Sequence, residues 1–246
     1  MRLGALLTVI AVATSHSYVG RAYDATPAVV VAVEAYNHGE IAFAFRVLRE
    51  QAEQGNSDAQ VNLGYLYARG QGTMPSQIEA LRLYRLSAAQ GNGEGMNAIG
   101  YKYQFGTGVG RDINRAIHWY CEAIAKGNPR ALNNLALLYV AGSGVPVDIG
   151  EARSLWQQSA ERGDANSMYN LGASLLFGPG EPRDQGQGTF WIERAAAAGQ
   201  AQAQELLRRN GFRGALPPAI DTTYAMKLQP RDAKPGRARI CGDLIS

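Results

Sequence analysis

The side chains that can carry out catalysis are few in this sequence, and they form no recognisable set. Of the three histidines, His38 comes just before a turn glycine and His118 lies beside Trp119. Neither belongs to a Ser-His-Asp or Cys-His arrangement, and the sequence has no His-x-x-x-His or Cys-x-x-Cys spacing for a metal ion. We therefore expect no catalytic residue, no metal site and no cofactor.

Three evenly spaced aspartates come nearest to a set of paired carboxylates. Asp112, Asp148 and Asp184 are 36 residues apart, and each precedes a helical pattern. One carboxylate at each helix start predicts an N-cap, whose side chain accepts a hydrogen bond from a first-turn N–H group. The glycine-rich turns do not match a phosphate-binding loop, because none ends in Gly-Lys-Ser/Thr or follows a strand.

The spacing of 36 comes from a repeat that runs through most of the chain. Its four copies are GNSDAQVNLGYLYARGQG from Gly55, GNGEGMNAIGYKYQFGTG from Gly91, GNPRALNNLALLYVAGSG from Gly127 and GDANSMYNLGASLLFGPG from Gly163. The Asn or Asp after each first glycine is typical of an N-cap, and the glycine itself is typical of the end of the preceding helix. A fixed period of this length predicts a stacked repeat protein.

Each copy predicts two helices. In the first helix a pair such as Leu63-Gly64 is followed by an aromatic residue such as Tyr67, and the small residue allows two helices to approach closely. In the second helix apolar residues recur at offsets of 0, 3, 4 and 8, which lie on one helix face. Stacked hairpins bury such faces in a continuous core, so we expect an all-α solenoid.

The motif A-x-x-x-L-G-x-x-Y…G-x-G…D-x-x-x-A-x-x-W-Y…A-x-x-G resembles the Sel-one-like repeat, a relative of the tetratricopeptide repeat. The resemblance implies a right-handed α/α superhelix over residues 18–212. We expect hairpins at about 28–54, 56–90, 92–126, 128–162 and 164–198, and a capping helix at 201–209. Residues 213–246 contain four prolines and none of the repeat pattern, so we expect an extended, irregular tail there.

The first residues follow a different pattern. Arg2 is followed by LGALLTVIAVA and then by small residues, an order typical of a secretory signal peptide. The apolar run of 11 residues is too short to span a membrane. We expect residues 1–17 to be a signal peptide and the protein to be periplasmic or secreted in a bacterium. A buried first helix is the alternative.

The cysteine count and the net charge give further limits on the fold and on the kind of partner. Cys121 and Cys241 are the two cysteines, and in an exported protein an even count makes a disulfide possible. They can pair if the tail folds back on the solenoid. The formal charge of +3 is small, and the repeats contain no basic stripe with interleaved aromatic residues, so we expect no nucleic-acid partner.

The resemblance to tetratricopeptide domains also implies a groove lined by the first helices. The implied partner-binding positions flank the Leu-Gly pair and hold asparagine and tyrosine: Asn62, Tyr65, Asn97, Tyr101, Asn133, Asn134, Tyr169 and Asn170. Asparagine can hydrogen-bond a partner's backbone, and tyrosine adds apolar area with a polar tip. The alternative is that the asparagines serve helix packing, because Asn-Leu-Gly is part of the repeat consensus.

These features predict an exported, non-enzymatic scaffold or regulator that binds a protein or peptide in its groove. The family resemblance implies one form of this role, since the rhizobial exopolysaccharide regulator restrains a sensor kinase from the periplasmic side. On that analogy the partner is an envelope sensor or another envelope complex. The alternative is a secreted enzyme of the cysteine-rich, β-lactamase-like type. Those relatives carry a cysteine pair in each repeat, which this chain lacks.

Overall fold

The computed structural model describes residues 26–178, 183–210, 241 and 242, and the regular structure in these ranges is helical. The expected signal peptide (1–17) and the tail apart from residues 241 and 242 lie outside the described residues. The helices are α1 (Pro27–Asn37), α2 (Ile41–Glu53), α3 (Ser57–Arg69), α4 (Gln77–Ala89), α5 (Gly93–Phe105), α6 (Ile113–Ala125), α7 (Pro129–Ala141), α8 (Ile149–Glu161), α9 (Ala165–Phe177), α10 (Gln185–Ala197) and α11 (Ala201–Asn210).

The helices stack in chain order. Each helix from α1 to α10 packs against the next one, and the first helices α3, α5, α7 and α9 also contact one another in sequence. A chain in which each hairpin packs on its neighbours is a solenoid, whose core is continuous from unit to unit. The prediction of an all-α solenoid of stacked helical hairpins is confirmed.

Side-chain caps fix where the helices α3 to α10 begin. The Asn56, Asn92 and Asn128 side chains accept hydrogen bonds from first-turn N–H groups of α3, α5 and α7, and Asp164 does so for α9. Ser76, Asp112, Asp148 and Asp184 cap the second helices in the same way. The recurring aspartates therefore have a structural role, because their oxygens satisfy N–H groups that the helix leaves without partners.

Glycines in the first helices set the spacing within each hairpin. A Cβ atom on Gly100 would lie 2.7 Å from two ring carbons of Tyr120, and one on Gly64 would lie equally close to the Tyr84 ring. On Gly172 it would lie 2.8 Å from the carbonyl oxygen of Gly188. These helices therefore approach one another more closely than any larger side chain would allow.

A disulfide joins the tail to the solenoid. Cys121 is fully buried on α6, and its sulfur is bonded to that of Cys241, 120 residues away along the chain. The two Cα atoms are 5.1 Å apart, and Cys241 packs against the repeat core. The cysteines thus connect a second helix to the tail rather than two helices of one unit.

None of the helices in the described ranges is both long and apolar enough to cross a membrane.

Candidate partner-binding groove

A groove of about 750 Å³ crosses the first helices of four consecutive units. Its walls come mainly from α3, α5, α7 and α9, with Gln77 and Tyr84 contributed by α4. Gln200 and Gln202, beside the start of α11, lie at one end. All eight residues proposed from the sequence line this groove: Asn62, Tyr65, Asn97, Tyr101, Asn133, Asn134, Tyr169 and Asn170. The stacking brings them together because they occupy equivalent positions on successive first helices.

Four of the asparagines are bonded to each other across units. The Asn134 amide donates to Asn97 Oδ1 at 2.9 Å, and the Asn170 amide donates to Asn133 Oδ1 at 3.0 Å. The Trp156 indole N–H also donates to Asn133 Oδ1, at 3.1 Å. These amides form a ladder, and each rung joins a first helix to the first helix of the next unit.

The asparagine ladder occupies only the central junctions of the described solenoid. At the preceding junction the equivalent positions hold Val61 and Ala98, and at the following one they hold Tyr169 and Leu206. Polar rungs therefore lie in the middle of the groove, with apolar residues on both sides. Each rung already uses one amide N–H as donor and one amide oxygen as acceptor. The packing role considered from the sequence therefore accounts for part of the asparagine pattern.

The eight residues differ in how much of each side chain is exposed. Asn62, Asn97, Tyr169 and Asn170 are all less than a tenth exposed, whereas Tyr101 is 37% exposed. The ring of the half-buried Tyr65 stacks under the Arg69 guanidinium at 5.2 Å, and the Tyr101 ring lies 4.5 Å from that of Phe105. The tyrosines at positions 65 and 101 therefore present the accessible aromatic surface that a partner can contact.

An ion pair between Glu94 and Arg130 forms part of the groove wall. The Glu94 carboxylate accepts hydrogen bonds from Arg130 Nη1 at 2.9 Å and from Asn128 Nδ2 at 2.8 Å. Burial raises the pKa of Glu94, but the Arg130 charge and these hydrogen bonds outweigh burial, so that this pKa lies below its usual value. The ionised carboxylate therefore ties α5 to α7.

This pair predicts a dependence of stability on pH. Because the folded-state pKa of Glu94 is depressed, its contribution is present above the unfolded pKa, near 4.5, and is lost as the pH falls through the folded value. Glu94→Gln should lower the free energy of unfolding by about 1–2 kcal/mol at pH 7. Thermal melts of both proteins between pH 7 and pH 3 should converge at the acid end. A constant difference would contradict this role.

Sequence reasoning missed Lys102, which lines the same groove and is only 6% exposed. Its position is apolar in two other units, where Leu66 and Leu138 lie at the same phase. The signal in the sequence is a lysine at a repeat position that holds leucine in two other units.

The described residues contain no group of three or more His, Cys, Asp or Glu side chains suited to hold a metal ion. His38 and His118 are both exposed, the first in the turn after α1 and the second on α6.

Comparison with known families explains the repeat. Four consecutive Sel1 repeats match residues 57–92, 93–128, 129–164 and 165–200. The chain belongs to the Sel1 repeat family. Sel1 repeats generally form non-catalytic scaffolds that bind protein partners, and the recognition of a Sel-one-like repeat is confirmed. No curated protein matches the chain significantly.

Solved structures share this Sel1 architecture. A Sel1 repeat protein from Oxalobacter formigenes is similar with a TM-score of 0.63 and 25% identity, over 86% of each chain. A protective antigen present in uropathogenic Escherichia coli strains has a TM-score of 0.55 and 28% identity, over 82% of this chain and 44% of the antigen. An immunity protein from Pseudomonas aeruginosa has a TM-score of 0.57 and 20% identity, over 77% of this chain and 74% of the immunity protein. At this identity the similarity shows the fold alone.

Proposed function

We propose that this Sel1 repeat protein is an exported scaffold that holds an extended segment of a partner protein in its groove. One observation carries the proposal: asparagine and tyrosine side chains from four consecutive units line a single groove of about 750 Å³. Successive units present similar groups at regular intervals, which suits a chain lying along the solenoid.

The chemistry of the groove supports a peptide occupant. Amides can donate to and accept from a peptide backbone, and exposed tyrosine supplies contact area at low conformational cost. The rungs already bonded between units hold the central asparagines in place, so their remaining donors and acceptors are preorganised for a ligand.

Export is the second part of the proposal. The positive start and short apolar run of residues 1–17 favour a signal peptide. A disulfide between Cys121 and Cys241 fits an oxidising compartment. In the envelope the protein would restrain or assist a sensor or another envelope complex.

Protein purified from the cell envelope should begin near His16 or Tyr18 when its N-terminus is sequenced. The physical reason is that the small residues after the apolar run meet the cleavage rule of signal peptidase. An intact Met1 on envelope-fractionated protein would contradict export by this route.

Site-specific photocrosslinking tests which face binds. A photoreactive phenylalanine analogue at Tyr101 samples the groove, and the same analogue at His118 samples an exposed position on the second helix α6. We expect the partner protein to be captured from position 101 and not from position 118. Capture from position 118 alone would place the working surface on the opposite side.

Tyr101→Ala should weaken binding of the captured partner about tenfold or more, because tyrosines near the centre of an interface are enriched among the few residues whose truncation costs most. Tyr101 is a sharper probe than Asn134 or Asn170, whose loss would also break rungs between units. Gln157→Ala is the matched control, since Gln157 is exposed and, among the described residues, its side chain bonds to Glu161 of its own helix. Titration beside a thermal melt separates lost binding from lost folding.

A further inference from the structure

Lys102 occupies a position that other units fill with uncharged, fully buried side chains. Leu66, Leu138 and Ser174 lie at the same repeat position, and each is 0% exposed. Lys102 itself is 6% exposed, yet it forms part of the groove wall. One of the four 36-residue repeats therefore carries a charge where the other three bury leucine or serine.

The surroundings of Lys102 are polar but contain no opposite charge. Its ammonium group donates to Gln77 Oε1 on α4 and lies 5.8 Å from the centre of the Tyr84 ring. At the position equivalent to Gln77, the next two units have Ile113 and Ile149 and the last has Gln185. Gln77 and Lys102 thus stand where the next unit has the apolar pair Ile113 and Leu138. Across the described ranges, no carboxylate lies within ion-pair distance of the Lys102 ammonium.

A second polar group of the groove wall lacks a partner. The Thr107 backbone N–H donates to the Lys102 carbonyl at 3.1 Å, which places Thr107 at the end of the same helix. Its hydroxyl oxygen is buried, has no hydrogen-bond partner among the described residues, and belongs to a residue of the groove wall.

Burying an ammonium group without a counter-charge is unfavourable, because the lost hydration is only partly replaced by one amide oxygen and one ring face. Burial accordingly lowers the pKa of Lys102. A leucine would avoid this cost, as it does in two other units. An anion arriving in the groove would supply the missing charge.

We propose that Lys102 binds the side-chain carboxylate of an aspartate or glutamate in the segment that the groove holds. This inference rests on the proposed function and adds the chemistry of the partner. The groove continues past α5 on both sides, to Asn62 and Tyr65 of α3 and to Asn134 of α7. A segment that passes over Lys102 in this way offers it a side chain rather than a chain end.

Random dodecapeptides displayed on phage, with no free C-terminus, provide the probe. They are selected in parallel on the full-length wild type, on Lys102→Leu and on Lys126→Leu. Leucine suits position 102, since Leu66 and Leu138 are buried at the same phase. Lys126 is exposed outside the groove and controls for the loss of one charge. We expect an acidic residue at one aligned position in peptides selected on wild type and on Lys126→Leu, and not on Lys102→Leu.

Synthetic peptides give the second measurement, by fluorescence anisotropy. Changing the aligned acidic residue to its amide should weaken binding to wild type about tenfold or more, and binding to Lys102→Leu by no more than about twofold. Equal acid preference on wild type and Lys102→Leu would overturn the Lys102 assignment. Affinity that is instead lost on amidation of the peptide C-terminus would show that the carboxylate comes from a chain end.

These outcomes distinguish failure of the Lys102 proposal from failure of the groove proposal on which it rests. If selected peptides compete for the groove, as judged by weaker binding to Tyr101→Ala, but carry no acidic position, the Lys102 proposal fails and the groove proposal stands. If no selected peptide depends on Tyr101, both proposals fail together.

Discussion

Breaking the disulfide between Cys121 and Cys241 should lower the free energy of unfolding by about 5 kcal/mol in the chain-entropy model. The bond closes a loop of 120 residues, so that its loss returns considerable freedom to the unfolded chain. For a chain of this size the melting temperature should fall by roughly 10 °C. The measurement is a pair of thermal melts, with and without a thiol reductant.

Two single variants separate the bond from the packing around it. Cys241→Ser breaks the disulfide and leaves the fully buried Cys121 side chain in α6, so it should match the reduced wild type. Cys121→Ala removes the buried sulfur as well and should be less stable still. Two free thiols on oxidised, envelope-purified wild type, or a disulfide between molecules, would contradict this pairing.

Gly100→Val should lower the free energy of unfolding by about 1–3 kcal/mol, through overpacking. The new Cβ would lie 2.7 Å from Tyr120 ring carbons and 3.2 Å from the Ala116 carbonyl oxygen. Tyr120 cannot move away easily, because it is fully buried and its hydroxyl donates to Gln104. The helices α5 and α6 must therefore separate, which also loosens the wall of the groove.

Gly110→Val is the matched control for this substitution. Gly110 is exposed in the loop before α6, and a Cβ atom there would meet nothing within 4 Å. Denaturant unfolding of the three proteins should show a large loss for Gly100→Val and little change for Gly110→Val. Equal stability of Gly100→Val and wild type would mean that the helices repack around the new side chain.

The repeat made much of the architecture predictable. A constant period of 36 residues placed the N-caps, the turn glycines and the two apolar faces of each unit in register. Local chemistry decides these features, because a cap or a turn glycine acts on its own helix end. The structure bears this out at Asn92 and Asp112, which cap α5 and α6.

The final copy shows where local patterns stop being sufficient. Gly70, Gly106 and Gly142 end their helices with φ between 62° and 68°, in the left-handed region. Gly178, at the same repeat position, is extended, with φ of −69° and ψ of 161°. The same residue in the same register takes another backbone conformation here, so its identity alone did not fix how the chain leaves α9.

The sequence by itself determined the repeat and the helical hairpins, because both follow from periodicity along one chain. The eight groove positions named from the sequence came from the resemblance to tetratricopeptide domains. The tertiary structure alone decided how those side chains pair. Asn97 bonds to Asn134, and Asn133 to Asn170, at separations of 37 residues rather than the repeat period of 36. Such pairing depends on the rotation and shift between stacked helices, which no single unit encodes. Two other features depend on tertiary packing for the same reason. One is the burial of Lys102 beside Gln77, and the other is the disulfide between Cys241 and Cys121.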